Sequence, residues 1–549
     1  KKAQIEIVKK GKHQGVLDPY EMARLLTGKD LMAESFVHQG IPLSIKGVAR
    51  GKGWNDILKD NFDNAGEVQS ARNLLYSLRI KELYERKTKD LYEITKEEYQ
   101  DAQIVINEAS PKSIKAANEI SHYQKEFLDW SFQNKYITKE MYKVLLESGK
   151  DYIPFVREGK HHANPFYQLK GSKRRVVNPI TTIPVNVVHI AKKVYRNNML
   201  REFFEPFLKD PIMMEEIGIT KIKKSVKVAT VPREEIARVF GLSKDKISGF
   251  KLDDLYYQFF AQEYNFRENN TVFFKDSKGK TIGFEVPPDL YLALSGQNPG
   301  KTNSVFNNTI FSATTKVAKN TITLAAPFFV RNIVRDTKVA AIVSKNNNYI
   351  PIYQMIRGIF LTYGREPFTF KKDPQGLLEQ YIAGGGFDSH FFKMKQYSDP
   401  KINRILEGRN VYGELAHDQS KLSWMQSFFI RVAETSEIAA KLADFELTIK
   451  NLKKERSEGK NTMTDQQIFE RALFDAKNLM DFSKAGLKAE IHNQGAMFFN
   501  ARLRGLDKIK EAYTERPLAT FAKSVAYTSI PYLTVYLLNH IDEEARAAY

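Results

Sequence analysis

The chain contains no cysteine. That excludes disulfides, thiolate nucleophiles and cysteine-ligated zinc. Long hydrophobic runs are missing too. The longest late uncharged stretch is SVAYTSIPYLTVYLLN, Ser524 to Asn539. It falls short of the ~20 apolar residues that a membrane span needs. Pro531 interrupts it, and Ser, Thr and Asn dilute it. We read it as a buried core helix, with a membrane-inserting segment of an oligomer as the alternative. Acidic residues are outnumbered, 65 against 84 basic ones, for a net charge of +19. That balance favours an anionic partner such as nucleic acid or a lipid surface, although a charge run is first of all a solvated face.

The signatures of common chemistries are also missing. His161-His162 has no second His, Asp or Glu set at ligand spacing, so no metal is expected. There is no G-x-S-x-G elbow. The nearest approach to a catalytic motif is SGQNPGKT, Ser295 to Thr302. A phosphate-cradling loop needs G-x-x-x-x-G-K-[ST] after a buried strand. Gly300-Lys301-Thr302 fits, but Ser295 stands where the first glycine belongs, and Gly296 leaves the loop one residue short. The preceding PPDLYLAL reads as helix. The expectation is a segment with no catalytic residues, no cofactor and no metal.

What is present is enough to fold. The composition is 42% hydrophobic and 12% aromatic, outside the range of disordered chains. A length of 549 residues exceeds what one core supports. We expect a mainly α, elongated, multi-domain helical protein with a small α/β insertion containing a β-hairpin. The divisions read as an N-terminal helical region, 1–119; a helical domain with a basic loop, 120–215; a small α/β domain with the hairpin, 216–300; and a C-terminal helical domain, 301–549. The last ends inside a helical pattern, as a fragment of a longer polypeptide would.

Local signals place the elements. Asp18 and Pro19 mark a helix start. Helical patterns run from Ala65 to Glu85, Lys96 to Asn107, Lys125 to Ser148 and Ile180 to Phe207, with a break at Ser110-Pro111. Gly40 to Trp54 reads as a basic, Gly-rich loop. Ile219 to Val231 alternates like a strand. Asn270 to Pro287 is a hairpin signal around Asp276-Ser277-Lys278-Gly279, and Asp289 is placed to cap the next helix. Ala383 to Phe391 reads as a flexible junction. Ile438, Leu442, Phe445, Ile449 and Leu452 form an apolar seam at helical spacing. Thr464 and Gln467 form a capping box. There is no internal repeat.

Two stretches stand out as sites. FYQLKGSKRRVV places Lys170, Lys173, Arg174 and Arg175 in a loop beside Phe166 and Tyr167. Such a loop can hold phosphates, and a solvated basic loop is the plain alternative. AAPFFVRNIVRDTKVAAIVSK, Ala325 to Lys345, reads as one helix with Pro327 in its first turn and a stop at Asn346-Asn347-Asn348. Val330, Ile333, Val334, Thr337, Ala340, Ala341 and Ser344 share one face, and apolar residues flank the polar stripe opposite. That predicts a buried helix whose Arg331 and Arg335 sit in a polar network, because unpaired buried charges are costly. The alternative is a phosphate grip by the same two arginines.

The string APFFVRNIVRDT, Ala326 to Thr337, resembles the arginine signature of the large polyvalent-protein-associated domains of tailed phages, which include internal virion and ejection proteins of podoviruses. The matching residues are Pro327, Arg331, Asn332, Arg335, Asp336 and Thr337. DYIPFVRE, Asp151 to Glu158, is similar to another element of that family. So are RRVVNPITTIPVNVVHIAKKVYRNNM, Arg174 to Met199; IGFEVPPDLYLAL, Ile282 to Leu294; and TSIPYLTVYLLNHID, Thr528 to Asp542. They fall in family order from about Ile120 to the end.

The resemblance implies a non-catalytic, structural protein inside the virion, delivered with the genome and found in the host envelope or cytoplasm after ejection. It implies other virion proteins of the portal, tail or ejection apparatus as partners, contact with phage DNA and the host envelope, and a homo-oligomer. The second reading is an accessory domain of a virion-packaged nucleic-acid enzyme, a polymerase or nuclease.

Overall fold

In the computed structural model the chain is described over residues 19–44, 48–85, 94–137, a few positions from 139 to 146, 179–209, 211–216, 218–221, 270–278, 281–295, 326–366, 369, 371–386, 424–479 and 499–541. It is mainly α, with one small three-stranded antiparallel sheet.

The first helices are α1, Pro19–Leu25; α2, Lys29–Gln39; α3, Trp54–Asn61; α4, Ala65–Glu85; α5, Lys96–Asn107; and α6, Pro111–Gln133. Two of their starts are written in side chains. Thr95 and Glu98 form a reciprocal capping box on α5. Ser110 accepts from the Ser113 amide and places Pro111 at the first position of α6. The Ser110-Pro111 break is thus a helix start, and α6 begins well before the expected Lys125. It also ends earlier, at Gln133. There Lys135 takes a φ of 60°, and the amides of Tyr136 and Lys135 return to Ser131 and Phe132, closing the helix as a left-handed cap does.

α7, Pro179–Lys209, follows and packs along α2. One core joins these helices. Trp54, Phe36, Ile120, Tyr123, Ile183 and Val194 are among its members. Phe36 meets Trp130 edge-on at 4.8 Å, and the Tyr123 hydroxyl donates to the Phe36 carbonyl at 3.1 Å. Residues on both sides of position 119 therefore share one core.

The far end of α7 carries the sheet. After α8, Pro211–Glu216, come β1, Thr220–Lys221; β2, Thr271–Lys275; and β3, Thr281–Glu285, in the order β1-β3-β2. Thr271 faces Glu285 and Lys275 faces Thr281 across the hairpin. Asp276 accepts from the Lys278 amide in the turn. Phe204 of α7 stacks on Phe284 at 4.6 Å and on Phe274 at 5.2 Å. The Lys275 ammonium is buried, donates to the Tyr136 carbonyl and lies over the Tyr136 ring. Burial pushes it down to about 7. α9, Pro288–Ser295, closes this unit. It starts at Pro288, so Asp289 sits in its first turn. Of the expected strand Ile219–Val231, only Thr220–Lys221 lies in β1, and residues 222–231 lie outside the described residues.

The remaining elements are α10, Ala326–Val343; α11, Pro351–Thr362; α12, Leu377–Ala383; α13, Trp424–Ser457; α14, Asp465–Leu479; α15, Phe499–Glu515; α16, Pro517–Ser524; a π turn, Val525–Ser529; and α17, Ile530–Ile541. The seam of α13 is buried through Ile438, Leu442 and Phe445 against α12, α14 and the start of the chain. Thr464 and Gln467 exchange the two bonds of the capping box on α14. α11 crosses α13 closely, because a Cβ at Gly358 would stand 1.9 Å from the Ala439 carbonyl oxygen. Arg357 beside it forks onto Glu446.

The flexible junction read at Ala383–Phe391 is corrected over its first half. Gly384, Gly385 and Gly386 are buried. Gly385, at φ +86°, lies against the Leu25 carbonyl and Met32, where a side chain would not fit. The glycines serve close packing. Residues 387–391 lie outside the described residues.

Candidate functional site

The basic loop with Lys170, Lys173, Arg174 and Arg175 lies outside the described residues, as do His161-His162 and the glycine-rich segment after Ser295. The arginine-signature helix does form, as α10. The side chains of Pro327, Arg331, Asn332 and Asp336 lie outside the described residues; Thr337 is half-buried.

Arg335 corrects the expectation of a buried network. It is exposed, and Val334 beside it is 50% exposed. The reason is where α10 packs. Its contact with α13 and α15 runs through Ala340, Ala341, Ile342 and Val343, against Ala439, Ala440 and Ala512. Alanines let the backbones approach at the C-terminal half, and the N-terminal half keeps Arg335 in solvent.

A buried polar network exists, one turn further on, where the helix ends. Ser344 Oγ donates to Asp444 Oδ1 at 2.5 Å, and Asn346 Nδ2 donates to the same oxygen at 2.9 Å. Asn346 Nδ2 also reaches Thr448 Oγ1 at 2.8 Å, and Asn451 Nδ2 reaches Asn346 Oδ1 at 2.7 Å. Burial, with Asp475 nearby, pushes the Asp444 carboxyl up to about 6 against the pull of its two hydrogen bonds and of Lys523. The run read as a simple stop at Asn346 is therefore half of a network. The other half was visible as Asp444, Thr448 and Asn451, spaced four and three apart beside the apolar seam of α13.

The C-terminal segment fastens onto the same place. The last carbonyls of a helix have no partner inside it. Here Arg516 donates to Ser344 O at 2.7 Å and to Val343 O at 2.9 Å. Lys523 Nζ reaches the carbonyls of Ser344 and Asn346, both at 2.8 Å. Two cations thus cap the negative end of α10, a favourable position for them. Burial, with Arg516 close by, pulls Lys523 down to about 8. Tyr527 OH donates to the Tyr349 carbonyl at 3.2 Å, and Lys338 lies over the Tyr532 ring at 4.9 Å.

From this anchorage helical backbone continues unbroken from Pro517 to Ile541, about 37 Å at 1.5 Å per residue. The Ile530 amide bonds Val525 O in the π turn just before Pro531. Pro531 has no amide hydrogen for the carbonyl four residues back, and the wider turn accommodates that gap. Beyond it the helix is corrected from buried to exposed. Ile530, Leu533, Val535 and Tyr536 are exposed, with Tyr532 at 66%, Leu537 at 51% and Leu538 at 59%. At about 100° per residue these side chains point in every direction. Leu518 and Phe521 on α16, and Ile350 and Ile352 beside Tyr349, are exposed as well.

Contiguous exposed apolar surface of this kind is a mark of interaction sites. Among the described residues no helix is long and apolar enough to cross a membrane, and no group of three or more His, Asp or Glu is placed to hold a metal ion. Compared with models of known families, with curated proteins and with solved structures, the chain gives no match.

Proposed function

We propose that this chain is an internal virion protein of a tailed phage, packaged in the particle and delivered with the genome. It acts by assembly, without catalysis in this segment, and helps DNA through the host envelope. The observation that carries the assembly role is α17, an apolar helix exposed from Ile530 to Leu538 among the described residues and tied by its base to α10. Such a surface costs free energy until it is covered, so the working form has partners: further copies of the chain, or portal, tail and ejection proteins. The resemblance at Arg331–Thr337 supports the phage setting, and α10, which carries those residues, is the platform on which the C-terminal helix is fastened. The net charge of +19 suits a position against packaged DNA.

Mass spectrometry of purified virions before and after genome release tests the assignment. Peptides of this chain are expected in full particles and lost from emptied ones. Absence from full particles overturns the proposal and leaves the accessory domain of a nucleic-acid enzyme as the reading to assay.

A further inference from the structure

A cavity of about 200 Å³ lies between the N-terminal and C-terminal helices, far in sequence from the assembly surface. Its walls are mainly apolar, with Met22, Leu25, Met32, Trp130, Phe469 and Leu473 among them. Polar residues interrupt that lining, and the titratable ones among them are Arg50, Tyr195 and Glu470.

Arg50 is held in place by its backbone and by one nitrogen. The loop before α3 folds back on itself, with Leu43 N bonded to Ala49 O and Gly51 N bonded to Ile41 O. Arg50 Nη1 donates to Ser35 Oγ and to Gly40 O, each at 3.0 Å, and the guanidinium lies over the Phe36 ring. Both acceptors are neutral. Among the described residues no carboxylate pairs with Arg50, and its other nitrogens have no hydrogen-bond partner. Arg50 keeps some accessible surface and lines the cavity.

Tyr195 packs its ring on Phe36 and Trp130 and lines the same space. Among the described residues its hydroxyl has no hydrogen-bond partner. Burial pushes it up to about 12, so it stays a neutral donor. Glu470 accepts from Gln466 Nε2 at 2.8 Å and makes no ion pair with Arg50. Burial raises it as well.

A guanidinium inside protein without a counter-charge is costly, and a carboxylate is its geometric complement. The hydrocarbon walls ask for an apolar body, and Glu470 disfavours a second negative charge. We infer that this cavity binds a small organic monocarboxylate, its carboxylate on Arg50 and the Tyr195 hydroxyl and its apolar body against the methionine, leucine and aromatic walls. A cavity of ~150 Å³ takes benzene, so this one suits an acid of about benzoate or hexanoate size. The inference is independent of the virion assignment.

Isothermal titration calorimetry on the full chain tests it, with benzoate and hexanoate as probes and benzamide and hexanamide as neutral controls. The acids are expected to bind about tenfold or more tighter than the amides, the worth of a charged hydrogen bond. Arg50→Gln should erase that preference. Tyr195→Phe keeps the ring packing, and should weaken the acids about three- to tenfold while the chain stays folded. Absence of heat with either acid at millimolar concentration overturns the inference. So do equal affinities for acid and amide, or undiminished acid binding in a folded Arg50→Gln chain.

Discussion

Asp444 shows how one residue can set a pH response. Its side chain is buried among Ser344, Asn346, Thr448 and Lys523, and its carboxyl is pushed up to about 6. In the unfolded chain an aspartate titrates near 4. The folded state therefore holds the proton more tightly. The stabilisation is complete below about pH 4 and is lost as the pH rises through about 6. Two units correspond to about 3 kcal/mol at most. Urea denaturation at pH 4 and pH 7 should show this group's share of the loss in the natural chain and not in Asp444→Asn, whose amide oxygen still accepts from Ser344 and Asn346. Identical pH dependence in the two chains would show that Asp444 is not the titrating group. Arg335, by contrast, resembles the same kind of residue in the sequence and is exposed, while the described buried residues of α10 are Ala340 to Val343.

Among the elements, the crossing of α11 over α13 decides how the C-terminal helices nest. Gly358 lets the backbones touch, and Ala439, Ala440 and Ala443 supply the shallow surface on the other side. Arg357 then reaches Glu446 across the contact, and Lys450, one turn on along α13, meets the same carboxylate. Gly358→Ala would drive a methyl into the Ala439 carbonyl, where neither backbone can yield without moving its helix. We expect a loss of about 1–3 kcal/mol, in the range of overpacked cores. Thermal denaturation checks this, and an unchanged midpoint would mean that the helices separate at no cost. The opposite intuition, that alanine stabilises a helix relative to glycine, fails here because packing outweighs propensity.

For the molecule as a whole, the decisive feature is an apolar helix, α17, whose side chains from Ile530 to Leu538 are exposed among the described residues. The anchorage of Arg516, Lys523 and Tyr527 on α10 is polar and specific, while Leu533, Leu537 and Leu538 beyond it face solvent. Burying such a helix against copies of itself is worth about 25 cal/mol per Å². Sedimentation velocity should show an oligomer for the natural chain and a smaller species for Leu533→Glu with Leu537→Glu. Both positions are exposed, so the folded body should lose no more than ~0.5 kcal/mol per substitution. A natural chain that sediments as a monomer at all concentrations would remove self-assembly as the cover for α17.

The elements whose reasons are local were legible in the sequence. The helices Ala65–Glu85 and Lys96–Asn107, the hairpin around Asp276 and the Thr464–Gln467 box follow from periodicity, turn chemistry and caps, which act over a few residues. The ends of α6 were missed although Ser110 and Pro111 marked one of them; the other is set by the left-handed turn at Lys135. What only the tertiary structure decided depends on partners far along the chain. Ser344 finds Asp444 a hundred residues away, and Arg516 finds Ser344 across 172. Whether Ser524–Asn539 is buried is a question of the same kind. A run of Leu, Tyr, Val and Ile states how much surface needs covering. Only the arrangement of the other helices determines what covers it, and among the described residues it is left exposed.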